Sequence, residues 1–402
     1  MKSTPESTSR RVFAFVGATV ISTLSALAVL ELVMFAAWSC ARWAHPAPLP
    51  PETSPAYSGA TWVPDFYREQ SLRLAAPYDY VPFRISGVTP WHGKYFNNDE
   101  HPAGIWRRTL NPDDGQCQQQ PQQHPQTSIW IFGGSTVYGT GVPDWATLPS
   151  YLSRNLKIDG SPCLDVTNFG CESYVSTQEL ILLIEQLKRG GRPDIVIFYD
   201  GVNDAHGGMA ASDPWVAHYG YATIKARAEG SFPGRFDFVH RLYTMRVIDA
   251  ARQLFRRRGE SLSAEELSAK AAVVVDNYEA NQNIARALGQ AYHFRFYGFW
   301  QPMLFSGHKP LVSFEQQITQ LDATSKARID PRPVVAAYRE AERRAPNAPF
   351  VYLADIFDST AEGVYIDEAH LGPHGNELAA NAIAKYIENH PAGTEALYSK
   401  AP

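Results

Sequence analysis

The residues best suited to chemistry in this 402-residue chain are a serine, an aspartate and a histidine. Ser135 follows Gly133 and Gly134 at the end of an apolar run, whereas Asp367 and His370 stand three residues apart near the C-terminus. That spacing lets one turn hold the carboxylate against His Nδ1, which leaves Nε2 free to take a proton from a serine. Taken singly, Gly-Gly-Ser is often only a turn and a histidine is more often a cap or core residue. Together they predict a serine nucleophile with its general base.

Two further motifs offer hydrogen-bond donors for the same reaction. Gly170 ends the motif Asn-Phe-Gly, and Asn203 lies in the motif Gly-Val-Asn-Asp; each motif follows an apolar run. The N–H groups of Ser135 and Gly170, with the side-chain amide of Asn203, would stabilise the oxyanion of a tetrahedral intermediate. Each motif alone is also typical of an ordinary turn, because Asn and Asp bond their own backbone.

Alternating apolar and amphipathic segments predict the frame that positions these motifs. Strands are predicted at residues 128–132, 164–169, 195–199, 294–301 and 350–355. Helices are predicted at residues 147–155, 176–189 and 375–388, with a helical insertion at about residues 205–290. Strands separated by helices of this length form βαβ units, with a parallel sheet covered on both faces. Ligand crevices of such sheets lie at the carboxyl ends of the strands, so Ser135, Gly170 and Asn203 should meet there.

In their order along residues 128–389, the motifs Gly-Gly-Ser, Asn-Phe-Gly, Gly-Val-Asn-Asp and Asp-x-x-His-Leu resemble the four sequence blocks of the SGNH (GDSL-like) hydrolases. The resemblance implies a three-layer α/β/α, flavodoxin-like fold and the activity of a serine esterase. Ser135 would be the nucleophile and first oxyanion donor, with Gly170 and Asn203 as the other donors. His370 would be the general base, and Asp367 would orient it.

The first motif departs from the family's Gly-Asp-Ser-Leu form, having Gly134 before the serine and Thr136 after it. This form resembles that of membrane-attached bacterial members and suggests O-acetyl esters of a cell-envelope glycan as substrate. Three alternatives stay open: an O-acetyltransferase, a lysophospholipase-like lipid esterase and a catalytically silent envelope scaffold. No metal-ligand spacing such as His-Glu-x-x-His occurs in the sequence, and no cofactor is expected.

The N-terminal region predicts a membrane anchor. Residues 12–30 carry no charge, and the apolar run continues beyond Glu31. At about 1.5 Å per residue the uncharged part spans roughly 28 Å, close to the bilayer hydrocarbon thickness. Lys2, Arg10 and Arg11 precede it, so the positive-inside rule predicts a single pass through a bacterial inner membrane, with the catalytic domain periplasmic or extracellular. Glu31 is expected to reach water or headgroups, or to bind a partner helix.

The pattern divides the chain into one hydrolase domain and its attachments. The predicted parts are a cytoplasmic N-terminus at residues 1–11, a transmembrane anchor at 12–38, a Pro-rich spacer at 39–56, an extension packed on the core at 57–127 and the hydrolase domain at 128–402. The formal net charge of -5 gives no basic field for nucleic acid. The expected partners are therefore an acylated carbohydrate or other ester substrate, and the membrane through one helix.

The four cysteines suit an oxidising compartment. Cys117 and Cys163 each precede a predicted core strand, so their thiols could form a disulfide if those strands are neighbours. Cys171 would then be a buried free thiol, and Cys40 lies where the chain leaves the membrane. Spacing alone leaves the pairing open.

Overall fold

A computed structural model describes residues 5–43, 49–75, 79–110, 126–158, 163–220, 224, 242–245, 247–248, 262–324 and 331–391. The chain forms two compact units. One comprises Met1–Pro48 with Ile224–Ser263, and the other comprises Leu49–Thr223 with Ala264–Pro402. The residues with predicted chemistry all belong to the second unit.

The first unit contains the N-terminal helix α1, Pro5–Trp43. Its segment Val12–Cys40 has 29 residues and a mean hydropathy of 2.1, so it is long and apolar enough to cross a membrane. The Glu31 carboxylate accepts hydrogen bonds from the N–H of Tyr243 at 2.8 Å, the N–H of Thr244 at 3.1 Å and the Thr244 hydroxyl. Of the two environments expected for Glu31, the structure shows a partner within the protein, supplied by another segment of the same unit.

The second unit is built on an eight-stranded sheet, accompanied by a separate hairpin of β1 (Asp79–Val81) and β2 (Ile85–Gly87). The sheet strands are β3 (Trp91–His92), β4 (Asn97–His101), β5 (Gly104–Arg107), β6 (Gln126–Gly133), β7 (Cys163–Asn168), β8 (Ile195–Asp200), β9 (Arg295–Trp300) and β10 (Val351–Tyr352). Their order across the sheet is β10-β9-β8-β6-β7-β5-β4-β3. All pairs from β10 to β7 are parallel, which confirms the predicted parallel sheet.

The antiparallel strands β3, β4 and β5 extend this sheet beyond the prediction. They join it through the pair Arg107↔Asn168 between β5 and β7. The sequence of residues 57–127 predicts only packing on the core, because β4 reads Asn-Asn-Asp-Glu-His and shows no apolar alternation. The extension therefore contributes strands as well as packing.

The helices of the second unit connect and cover these strands. They are α2 (Val63–Ala75), α3 (Ser135–Tyr138), α4 (Leu148–Asn155), α5 (Ser176–Lys188), α6 (Val202–Ala210), α7 (Ala264–Tyr292), α8 (Ser313–Thr324), α9 (Arg332–Arg344) and α10 (Pro373–Asn389). Short 3-10 turns occur at Pro51–Thr53, Pro55–Tyr57, Asp144–Ala146, Pro214–Val216 and Ala345–Asn347. The region predicted as a helical insertion includes most of α6 and nearly all of α7, and part of it lies outside the described residues.

Alternation along β6 shows how the sheet is covered on both faces. Ile129 and Ile131 are buried in a core cluster that includes residues of α4 and α10. Trp130 and Phe132, whose side chains point the other way, are buried in a cluster with residues of α5 and α7. The predicted three-layer α/β/α fold is therefore confirmed.

Most predicted element bounds differ from the observed ones by one or two residues, and two differences go further. The last strand comprises only Val351–Tyr352 rather than residues 350–355. Packing on the core also begins inside the predicted spacer, because Ser54 is buried and its hydroxyl donates to Tyr365 O at 2.7 Å. Proline content alone could not reveal this, since prolines also begin the two 3-10 turns on either side of Ser54. The remaining domain boundaries stay predictions.

Candidate active site

Ser135 begins helix α3, directly beyond the carboxyl end of β6. The two preceding glycines are required by close approach of other groups. A Cβ atom on Gly133 would lie 2.4 Å from Tyr199 O, and one on Gly134 would lie 2.4 Å from Asn203 Nδ2. The first N–H groups of a helix have no partner within it, so the Ser135 N–H is available beside its own hydroxyl.

The structure brings Ser135, His370 and Asp367 into one hydrogen-bonded chain. His370 Nε2 lies 2.7 Å from Ser135 Oγ, and His370 Nδ1 lies 2.7 Å from Asp367 Oδ2. Asp367 Oδ1 accepts the N–H groups of Ala369 at 2.9 Å and His370 at 2.7 Å. The turn is closed by the Ile366 N–H, which donates to His370 O at 3.0 Å. The three-residue spacing thus gives the local geometry expected from the sequence.

The interactions within the triad shift the pKa values of Asp367 and His370 in opposite directions. Burial disfavours the imidazolium of His370, but the Asp367 carboxylate outweighs burial and raises the pKa of His370 to about 9. Burial likewise disfavours ionisation of Asp367, yet His370 and two backbone N–H donors lower its pKa to about 2. Asp367 is therefore ionised at neutral pH, and His370 is a stronger base than an ordinary histidine.

Gly170 lies beyond the end of β7, and its N–H is already engaged. It donates to Asn168 Oδ1 at 2.9 Å, and a Cβ atom here would lie 2.3 Å from Tyr138 N. Ser173, three residues later, has a φ of 66° and lines the same cleft as Ser135 and His370. Ser173 was not predicted from the sequence, because a left-handed backbone is signalled by glycine and only rarely adopted by serine.

Asn203 lies in the first turn of α6, beyond the end of β8. Its Nδ2 donates to Tyr174 O at 2.8 Å. A side-chain amide carries two N–H hydrogens, so one remains for a ligand. The close approach of Gly134 to the same nitrogen places this donor next to the Ser135 turn.

The hydroxyl of Ser135 opens onto a cleft of about 340 Å³. The residues that line it carry hydroxyl, carboxylate or imidazole groups, and none is Leu, Ile, Val, Met or Phe: Ser86, Ser135, Thr140, Glu172, Ser173 and His370. Glu172 Oε1 accepts the Thr140 hydroxyl at 2.8 Å. Burial raises the pKa of Glu172 above its ordinary value, although Arg73 and His370 oppose that rise. The side chains that line the cleft around Ser135 are therefore polar.

Comparison with known proteins gives no matching family model and no matching curated protein. Solved structures do match. A lipolytic protein of the G-D-S-L family from Desulfitobacterium hafniense is 12% identical, with 64% of this chain and 98% of that chain covered and a TM-score of 0.30. An acetylxylan esterase from Geobacillus stearothermophilus is 12% identical, with 65% and 94% covered and a TM-score of 0.31. A lipase/acylhydrolase from Enterococcus faecalis is 15% identical, with 69% and 100% covered and a TM-score of 0.31.

The architecture is decided by where the four motifs lie in the sheet. Ser135, Gly170 and Asn203 follow the carboxyl ends of β6, β7 and β8, three neighbouring parallel strands. Asp367 and His370 lie in the turn before the last helix, α10. The fold is SGNH hydrolase-like. Folds of this kind host different chemistries, so the side chains of the site determine the reaction of this SGNH-like core.

Three buried carboxylates lie beneath the Asn203 turn of the SGNH-like core. Glu179, Asp200 and Asp204 are 0%, 2% and 6% exposed. Asp204 accepts the Ser176 N–H at 3.1 Å and the Ser176 hydroxyl at 2.5 Å, and Asp200 accepts the Tyr278 hydroxyl. Burial raises the pKa of Asp200 to about 8 and that of Asp204 to about 6, and it raises the pKa of Glu179 as well. The group is therefore partly protonated at neutral pH.

We expect replacement of Asp200 by asparagine to make folding stability less sensitive to rising pH. The folded-state pKa is raised to about 8, so the protonated acid is favoured in the folded protein and stability is lost as pH rises from about 4 to about 8. Asparagine cannot ionise. Between about pH 6 and pH 9, the unfolding temperature of the wild type should fall by several degrees more than that of the variant. About 1 kcal/mol of stability corresponds to roughly 2–4 °C. Equal losses in both proteins would contradict this, and Asp65→Asn, at an exposed aspartate, serves as the control.

The cysteines fall into two classes. Cys163 is disulfide-bonded, whereas Cys40 and Cys171 are free. Burial raises the pKa of the Cys171 thiol to about 12, so this thiol is unreactive at neutral pH. Cys117 lies outside the described residues, and its pairing with Cys163 stays a prediction.

Proposed function

We propose that this chain is a serine esterase that removes short O-acyl groups, O-acetyl first, from a carbohydrate of the cell envelope. The hydrogen-bonded chain Ser135–His370–Asp367, opening onto a cleft lined by polar side chains, is the observation that carries the proposal. A lipid esterase would instead need an apolar channel for the acyl chain. Among the described residues that line this cleft, none is Leu, Ile, Val, Met or Phe.

The first half-reaction forms an acyl-enzyme. Ser135 Oγ attacks the ester carbonyl while its proton passes to His370 Nε2, and Asp367 stabilises the imidazolium that forms. The tetrahedral intermediate collapses when His370 returns the proton to the leaving sugar oxygen, and the C–O bond of the ester breaks. In the second half-reaction, water attacks the acyl carbonyl while His370 Nε2 takes a proton from it. His370 then returns the proton to Ser135 Oγ, which releases the acid and free Ser135.

Oxyanion stabilisation requires donors that converge beside Ser135. We assign this role to the Ser135 N–H, to the remaining N–H of the Asn203 amide and to the Ser173 N–H. The predicted donor Gly170 is replaced by Ser173 in this assignment. The reason is that the Gly170 N–H is used by Asn168, whereas Ser173 lines the cleft and its N–H makes no hydrogen bond within the described residues.

We further propose that α1 anchors the enzyme in the bacterial inner membrane, with the hydrolase domain on the outer side. The apolar segment Val12–Cys40 has the necessary length, and Lys2, Arg10 and Arg11 precede it. The disulfide at Cys163 supports this orientation, because disulfides persist outside the cytoplasm. A glycan of the cell envelope would then be within reach of the site.

Hydrolysis of p-nitrophenyl esters of increasing acyl length tests the proposal. The full chain in detergent should turn over the acetyl ester, and kcat/KM should fall by roughly 10-fold or more between acetyl and octanoyl, because the residues that line the cleft offer no aliphatic side chain to bind the added methylenes. A rate that rises with chain length would favour the lysophospholipase-like alternative.

Two other outcomes separate the remaining alternatives. A folded protein that does not hydrolyse these esters but becomes acylated on Ser135 would be an O-acetyltransferase without its acceptor. A folded protein that neither turns over esters nor becomes acylated would be a catalytically silent scaffold.

A further inference from the structure

The hairpin of β1 and β2 carries the two most exposed aromatic side chains among the described residues. Tyr80 is 78% exposed and Phe83 is 84% exposed. One exposed ring is ordinary on a protein surface, but two on one short hairpin give it an apolar surface of the kind found at binding sites. The hairpin is short, and its three-residue loop places Phe83 at the tip.

The base of the hairpin is fixed to the core, although its tip is exposed. Tyr174 donates its hydroxyl to Ser86 O at 2.5 Å, and Arg84 donates to the same hydroxyl at 2.7 Å. Arg84 also forms an ion pair with Glu185 at 2.9 Å, and its carbonyl accepts Gln178 Nε2 at 2.6 Å. These bonds hold the position of the loop without covering the rings.

The backbone of this hairpin is strained in a way that fixes the direction of the loop. Phe83 has a φ of 66° and Ile85 has a φ of 73°. A β-branched residue such as isoleucine is a true outlier in that region. Strain of this kind persists where the surroundings over-determine it, and it concentrates at ligand-binding sites.

The hairpin also borders the cleft of the candidate active site. Ser86, at the centre of β2, lines that cleft together with Ser135 and His370. Phe83 is three residues away, so its Cα atom lies within about 11 Å of the Ser86 Cα atom. An extended substrate that enters the cleft can therefore reach the exposed rings.

We propose that the hairpin is a carbohydrate-binding lip, on which Tyr80 and Phe83 stack against the C–H faces of sugar rings next to the acylated one. Aromatic faces and polar groups together recognise sugars, because a pyranose ring presents C–H groups on its faces and hydroxyl groups at its edge. The cleft supplies the polar part through Ser86, Thr140 and Glu172. This inference rests on the proposed function and names an oligosaccharide or polysaccharide as the substrate class.

Steady-state kinetics on two kinds of substrate test the lip. Substrates are p-nitrophenyl acetate and a panel of partially O-acetylated xylan, mannan and alginate oligosaccharides, with the full chain in detergent. The double variant Tyr80→Ala/Phe83→Ala should raise KM for the oligosaccharides about 10-fold, since two ring contacts are lost. Its kcat/KM for p-nitrophenyl acetate should stay close to that of the wild type, because this small ester needs no second ring contact.

Matched variants separate stacking from a general disturbance. Tyr80→Phe/Phe83→Tyr keeps both rings and should retain the wild-type KM, and Trp215→Ala removes an exposed ring on another element and should change neither substrate. An unchanged oligosaccharide KM in the double alanine variant overturns the lip. A wild type that hydrolyses p-nitrophenyl acetate but none of the oligosaccharides also overturns it. Micellar lysophospholipid serves as a third substrate, and a double variant that is impaired on this lipid alone overturns the lip as well. A folded wild-type protein without Ser135-dependent turnover of p-nitrophenyl acetate would instead contradict the proposed function.

Discussion

Replacement of Ser135 by alanine is expected to lower kcat/KM for p-nitrophenyl acetate by about 10⁴-fold or more, toward the uncatalysed rate. The hydroxyl supplies the atom that forms the acyl-enzyme, and alanine leaves His370 with no group to deprotonate. The side chain of Ser135 hydrogen-bonds to His370 Nε2 within the site. Its loss removes this one bond, so the fold should survive. Initial rates on the full chain in detergent, with circular dichroism to verify folding, measure the loss.

The matched control for this prediction is Ser71→Ala. Ser71 is exposed and donates its hydroxyl to Tyr67 O within α2, so its removal should leave activity unchanged. Turnover by the folded Ser135→Ala variant near that of the wild type would show that another group is the nucleophile.

Replacement of Asp367 by asparagine is expected to lower kcat about 10⁴-fold and to shift the pH dependence of the remaining activity. His370 must be neutral to accept the serine proton, so wild-type kcat/KM should rise with pH toward a plateau above about 9. Without the Asp367 carboxylate, burial, which lowers the pKa of His370, is opposed only by the smaller effects of Glu368 and Glu172. The rising limb should then move well below pH 9.

The measurement for this prediction is a profile of kcat/KM against pH for both proteins. Asp355→Asn, at an exposed aspartate outside the cleft lining, is the control and should keep the wild-type profile. A limb that stays near pH 9 in Asp367→Asn would show that Asp367 does not set the basicity of His370.

The parts of the site that the sequence predicted well are those with local geometry. Asp367 and His370 are three residues apart, so one turn determines their hydrogen bond whatever the rest of the fold does. Ser135 follows a long apolar strand in the middle of a parallel sheet, where position along the strand fixes the edge at which it lies. In both cases a few neighbouring residues are enough to predict where the side chain lies.

The parts that the sequence did not predict depend on contacts between distant residues. Ser173 lies in the cleft because its backbone is left-handed, and a serine gives no sign of this. The carboxylates of Glu179 and Asp200 come together from α5 and β8, and each alone reads as an ordinary polar residue. Strand β4 has a polar sequence but pairs with β5, and β5 in turn pairs with β7 of the parallel sheet.

The most direct test of the central claim is covalent labelling of the full chain with a fluorophosphonate, followed by peptide mass spectrometry. The proposed mechanism predicts one phosphonylated residue, Ser135, with labelling abolished in Ser135→Ala and strongly slowed in Asp367→Asn. A folded wild-type protein that resists the reagent, or that is labelled at another serine, would contradict the assignment of Ser135 as an activated nucleophile.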